Sequence, residues 1–172
     1  MININLIQHQ CRGDDTRVLI WDTLAPTYHP PTREFVGHIS NVFSIDWFYD
    51  NQRIVSAGLD ERVLVYDLNQ NGLNISLNLN LNLNLNLNLN LNLNLPSFNH
   101  TVGKMPEHYF EKHDSSVHSV SVQPNSNSIC LSGSDDRTVR LWDIRVKAPC
   151  RGVLRCSSAV NCVAFHPLDE HL

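Results

Sequence analysis

The amino-acid sequence predicts an all-β fold of small repeated sheets, interrupted once by a low-complexity loop insertion. Three observations carry that expectation. A ten-residue pattern recurs as Gly13-Asp14-Asp15-Thr16-Arg17-Val18-Leu19-Ile20-Trp21-Asp22, as Gly58-Leu59-Asp60-Glu61-Arg62-Val63-Leu64-Val65-Tyr66-Asp67 and as Ser134-Asp135-Asp136-Arg137-Thr138-Val139-Arg140-Leu141-Trp142-Asp143. The runs between turns are short and rich in Val, Ile, Leu and aromatics, with Asp, Asn, Ser, Gly and Pro separating them, which is the chemistry of strands and turns. No window sustains the 3.6-residue apolar period of a helix.

The spacing of the copies gives the organisation. Asp22 and Asp67 lie 45 residues apart, whereas Asp67 and Asp143 lie 76 apart, an excess of 31. That excess matches the Leu-Asn alternation from Leu77 to Leu95 with its flanks, so one insertion restores the period. Matching openings precede the later copies. Gly37-His38 leads to Val42-Phe43-Ser44-Ile45-Asp46-Trp47, Lys112-His113 leads to Val117-His118-Ser119-Val120-Ser121-Val122, and a fourth copy opens with Val160-Asn161-Cys162-Val163-Ala164-Phe165-His166-Pro167.

A period near 45 with a Gly-His opening and a Trp-Asp close resembles the WD40 repeat of β-propellers, over about 8–67 and 106–172. The resemblance implies an incomplete WD40 propeller of about three blades, partial at both ends. Residues 1–70 would hold the first, partial blade and the second, 71–103 the Leu-Asn insert, and 104–172 the third blade and a partial fourth. Strands a, b and c of the second blade would be 42–47, 53–57 and 62–66, and those of the third 117–122, 129–133 and 138–142. Residues 34–36 and 109–111 would be strands d, and 8–11 with 17–21 the end of the first blade.

The same resemblance implies a buried polar network linking the Gly-His histidine, a Ser on strand b, an Asp in the b–c turn and the strand-c Trp. The third unit has all four, as His113, Ser132, Asp136 and Trp142. The second has His38, Ser56 and Asp60, with Tyr66 in place of Trp, and the first has Asp15 and Trp21, with Cys11 where Ser belongs. A buried imidazole or indole N–H without a partner costs a few kcal/mol, about 1–3, so such residues read as structural, not catalytic.

Composition narrows the function classes. The net charge is −4 and the pI about 6.1, which argues against nucleic acid or an anionic membrane as the main partner. Five cysteines without a Cys-x-x-Cys pair give neither a disulfide scaffold nor a zinc ribbon. The first residues lack the basic and apolar regions of a secretion signal, so the expected location is nucleus, cytoplasm or both. Signature motifs of nucleotide-binding loops, zinc proteases and serine hydrolases are absent, so no enzyme and no cofactor is expected. Cys162, His166 and His171 are the best-spaced candidate metal ligands, but three ligands across one strand and turn make a weak zinc site, and no metal is expected. The Leu-Asn tract, read as one strand, would run far beyond usual strand length. Asn disfavours strands, so a disordered or aggregation-prone loop expansion is the better reading.

One feature points to a partner. Arg145 follows Trp142-Asp143-Ile144, and this resembles the WD-x-R box of propellers that act as substrate receptors of cullin-RING ubiquitin ligases. In that family the Arg docks on the ligase adaptor, a DNA-damage-binding protein, and here Asp143 and Trp142 would support Arg145. Arg suits the role because its planar guanidinium presents a rigid fork of donors. The corresponding positions after Trp21 and Tyr66 are Leu24 and Asn69, so the box is not a by-product of the repeat. Together with Gly13-Asp14-Asp15-Thr16-Arg17-Val18-Leu19-Ile20-Trp21, His38-Ile39-Ser40-Asn41-Val42-Phe43 and His113-Asp114-Ser115-Ser116-Val117, it makes the chain similar to the N-terminal blades of the DDB- and cullin-associated factors, closest to the factor-five type. The implied partners are the adaptor, the cullin-RING complex and a substrate protein that the sequence does not name. The rival expectations are a general WD40 scaffold and a non-functional gene fragment. A chain with so few units cannot close a propeller ring by itself, since rings take about four to eight blades.

Overall fold

The computed structural model describes residues 16–21, 31–69 and 103–167, and within them every regular element is a strand. Ten strands form three antiparallel sheets. β1 (Val18–Ile20) pairs with β2 (Arg33–Phe35), with Val18 opposite Phe35. β3 (Val42–Trp47), β4 (Arg53–Gly58), β5 (Val63–Asp67) and β6 (His108–Phe110) make the second sheet in that order. β7 (Val117–Val122), β8 (Ile129–Ser134), β9 (Thr138–Asp143) and β10 (Cys150–Arg155) make the third. The expected all-β fold and partial propeller are therefore what the chain adopts, with strands a, b and c of both blades falling within a residue or so of the reading. Among the described residues no helix is long and apolar enough to cross a membrane.

Alternation of side chains explains why β4 and β5 are apolar on both faces. Val55, Ala57, Val63 and Val65 join Val117, Val120, Cys130 and Trp142 in the core between the second and third blades. The residues between them along the same strands, Ile54, Leu64 and Tyr66, join Val18, Ile20 and Phe35 in the core between the first and second. The second blade is thus buried against both neighbours, so one-residue slippage of its strands would exchange the two cores.

The blades are also tied at strand a. The Val120 N–H donates to Ser44 Oγ at 3.2 Å and the Val122 N–H to Asp46 Oδ2 at 2.7 Å. One unit later the Val163 N–H donates to Ser119 Oγ at 3.1 Å and the Phe165 N–H to Ser121 Oγ at 3.4 Å. The fourth copy is therefore seated as the next strand a, although the strand-like run expected at 160–165 forms no ladder. A ladder needs a neighbouring strand backbone, and no described residue supplies one to this run. Gly133 makes the seat close, since a Cβ there would come within 2.6 Å of Val160 Cγ1. The fourth strand of the third sheet, β10, was not foreseen. It follows a turn at 144–149 rather than a run of alternating apolar residues.

The Leu-Asn insert, 8–11, Cys11 and Asp15 lie outside the described residues. The chain on either side of the insert is tied down, because Leu68 O accepts hydrogen bonds from Arg33 Nη1 at 2.6 Å and Lys104 Nζ at 2.9 Å. Lys104 also exchanges backbone bonds with Glu34 and Val36 beside β2 before the chain enters β6. An insertion between anchored ends adds little loop-closure entropy, since each doubling of length costs about 0.6 kcal/mol.

Candidate functional site

Two places carry the polar side chains singled out by the sequence, a buried relay inside the blades and an exposed Arg on one rim. The relay assembles because β8 brings Ser132 opposite β9, while the turns at either side of β7 and β8 deliver His113 and Asp136 to the same end of the sheet. Trp142 Nε1 donates to Ser132 Oγ at 2.7 Å. Ser132 Oγ lies 2.6 Å from His113 Nε2, and His113 Nδ1 lies 2.7 Å from Asp136 Oδ2. The indole N–H can only donate and the carboxylate only accept, so the Ser132 O–H donates to Nε2 and the Nδ1–H donates to Asp136. Every member is satisfied.

Burial lowers the His113 pKa against the opposing pull of Asp136. Burial pushes Asp136 up, but hydrogen bonds from Thr138, His113 and the Asp114 N–H outweigh it and hold the carboxyl well below its usual range. Thr138, whose Oγ1 donates to Asp136 Oδ1 at 2.6 Å, was missed in the sequence. Its signal is the Asp-x-Thr spacing of a side-chain-closed turn. The Ser44 and Ser119 seats were missed too, although both serines stand at one repeat position.

Ser, His and Asp in one line invite a comparison with a hydrolase triad. Ser132 is fully buried and its oxygen already takes the Trp142 N–H, so no substrate carbonyl can reach it. The line is a structural tie. Its protonation makes the fold acid-labile. A lowered His113 pKa means that the unfolded chain takes up this proton first as pH falls below about 6.5, and the depressed Asp60 and Asp136 carboxyls withdraw their contribution as pH falls through the range below about 4. The urea midpoint is expected to be level between about pH 7 and 8, to decline from about 6.5 and to steepen below about 4. A midpoint that rises between pH 7 and 5 would contradict this.

The second blade repeats all but one link. His38 Nδ1 lies 2.9 Å from both Asp60 oxygens and Nε2 lies 2.6 Å from Ser56 Oγ. Tyr66, in the Trp position, is fully buried and points its hydroxyl toward Ser56 without completing a hydrogen bond. Burial pushes that hydroxyl's pKa up. Tyr66→Phe is therefore expected to keep or raise stability, by up to about 1 kcal/mol, in thermal or urea melts, because it removes an unsatisfied buried polar atom. A loss above about 1 kcal/mol would show that the hydroxyl is bonded in solution.

The rim site lies at the end of β9. Asp143 is nearly buried and Arg145 mostly exposed, at 11% and 66% of side-chain area. Arg145 Nε donates to Asp143 Oδ1 at 2.9 Å and Nη2 to Oδ2 at 2.8 Å, while the Arg145 N–H closes the turn on Oδ1 at 3.1 Å. These bonds hold the Asp143 pKa down to about 2. The fork expected to grip a partner is thus closed on Asp143, which leaves Nη1 and the outer Nη2 hydrogen facing out. Trp142, read as a partner-binding residue with Asp143 and Arg145, is fully buried and touches no surface. The turn itself is a repeat feature, because the Asn69 N–H bonds Asp67 Oδ1 at 2.7 Å, but only the third unit adds the guanidinium.

Arg145 flanks an open groove between the blades, lined also by Arg53, Glu107, His108, Asn127 and Ile144. Arg53 is engaged by Glu107 and Asp50, so Arg145 supplies the cation with outward-facing donors there. Cys130 is a buried core thiol whose pKa burial pushes up. No group of three or more potential metal ligands occurs among the described residues, and His171 lies outside them.

Comparison with known proteins agrees with the repeat. The family model "WD domain, G-beta repeat" matches residues 29–67 and 104–143. WD repeat-containing protein 37 of Mus musculus is 27% identical over 149 residues, covering 79% of this chain and 29% of that protein. DDB1- and CUL4-associated factor 5 of Homo sapiens is 28% identical over 136 residues, covering 77% of this chain and 11% of that protein. The chain thus spans less than a third of the length of these relatives.

Proposed function

Since the chain is a WD40-repeat protein whose blades present protein-interaction rims, we propose that it serves as part of a substrate receptor for a cullin-RING ubiquitin ligase. Arg145 contacts the adaptor in this reading, and Asp143 fixes the angle at which it does so. The observation that carries the reading is the Asp143–Arg145 clamp. A long flexible cation is held in one rotamer on an exposed rim, so less side-chain entropy is lost when a partner accepts its remaining donors. Similarity to DDB1- and CUL4-associated factor 5 supports this partner class, the DNA-damage-binding adaptor of that relative's name with the cullin assembly behind it. The blades supply docking and the ligase partners supply catalysis, in the nucleus, the cytoplasm or both.

Comparable similarity to WD repeat-containing protein 37 supports a second reading, a WD40 scaffold without ligase attachment. Co-purification of the adaptor with the tagged full chain, wild type against Arg145→Ala, separates the two. Recovery that depends on Arg145 supports the receptor. Equal recovery, or none from either, removes it.

A further inference from the structure

We propose that the outer edge of β10 is a docking site for an extended acidic peptide, which adds to the third sheet as a fifth strand. β10 is the last strand of its sheet, so its outward backbone N–H and C=O groups have no partner strand among the described residues. It is also longer than β6, the outer strand of the second sheet, at six residues against three. An open edge of that length is a template for another chain, whose main-chain hydrogen bonds supply affinity while the side chains set specificity.

The charge along this edge has one sign. Residues 144–167 contain Arg145, Lys147, Arg151 and Arg155 and no carboxylate, in a chain whose net charge is −4. The outer strands of the two sheets are opposites. Glu107 and Glu111 flank β6, and each is bonded to an Arg of its own blade, Arg53 at 3.3 Å and Arg62 at 2.9 Å. Arg151 and Arg155 stand on β10 at the same spacing, exposed and without an ion pair among the described residues. Carboxylates of the neighbouring turns do not neutralise them, since Asp135, Asp136 and Asp143 are engaged by His118, His113 and Arg145. Between the two cations lies Val153. It is opposite Arg140, two residues before Trp142, and so shares the face that packs against the second blade. That blade is in place and still leaves Val153 47% exposed. Cations alone would merely guard an edge against stray pairing, but a guard has no use for a Val exposed between them. By alternation Val153 and Arg155 line one face, and Arg151 sits at the bulge where β10 begins. The complementary strand therefore carries an apolar residue with an acidic residue two positions to one side and a second acidic residue on the other. This site does not rest on the adaptor reading.

Selection of short random peptides on phage against the full chain, with counter-selection on an Arg151→Ser, Arg155→Ser variant, supplies the probe. Recovered sequences are expected to flank an apolar residue with Asp or Glu. Synthesised and labelled, they are expected by fluorescence polarisation to bind the double variant about tenfold more weakly than the wild type, at an unchanged melting temperature. Methylating alternate backbone nitrogens of the peptide keeps every charge but removes donors, and only one of the two alternate sets faces the edge. One methylated form is therefore expected to lose binding and the other to keep it. The proposal is overturned if no peptide is recovered, if the recovered peptides lack acidic residues, or if the double variant binds them as well as the wild type. It is equally overturned if both methylated forms bind alike or if oligothymidylate binds as tightly as the peptides, since attraction to charge alone would then account for the site.

Discussion

Trp142→Ala is expected to destabilise the chain by about 3–5 kcal/mol, a large part of the roughly 5–15 kcal/mol that holds a domain together. Three losses combine. The fully buried indole leaves a cavity between the second and third blades. Its ring no longer stacks on Phe110, at present 4.8 Å away and tilted by only 7°. Its N–H no longer donates to Ser132, so the relay to His113 and Asp136 loses its outer end. Trp142→Phe restores most of the apolar volume but not the donor, and should cost about 1–2 kcal/mol. Equilibrium urea unfolding of both variants checks the order. A Phe variant as weak as the Ala variant would show that the hydrogen bond, not the packing, dominates.

Arg145→Ala is expected to weaken adaptor binding by about 2 kcal/mol or more, roughly thirtyfold, with no change in melting temperature. The side chain is largely solvent-exposed and its hydrogen bonds run to Asp143, two residues away, so the fold does not depend on it. Arg145→Lys should fail to rescue, because an ammonium cannot make the two-pronged bond to Asp143 and present donors outward at the same time. Asp143→Asn should give an intermediate loss by loosening the clamp. Calorimetric titration with purified adaptor distinguishes these. If Lys binds as well as Arg, charge alone suffices and the clamp has no role.

The sequence revealed most of the architecture because the repeat fixes several residues at once. The WD40 resemblance implied a partner for each of Trp142, Ser132, His113 and Asp136, and the structure brings all four into one relay. The inter-blade seats were not legible, since Ser44 and Ser119 look like ordinary strand serines until a neighbouring backbone N–H is seen to end on them. β10 was missed because its side chains are largely exposed, including Val153 and Leu154, so no core-facing alternation marks it. Arg145 was legible as a motif, but its bond to Asp143 was not, because the sequence does not say where a long side chain turns.

The most direct test of the blade architecture is hydrogen exchange of the Trp142 indole N–H, followed by NMR together with the backbone amides of Val120 and Val122. If the blades are sealed against one another by the buried relay and the strand-a seats, all three exchange at least about a thousandfold more slowly than in the unfolded chain. An indole proton that exchanges at the free rate while the backbone amides of β8 and β9 stay protected would mean that the sheets form but the blades do not close on each other as described.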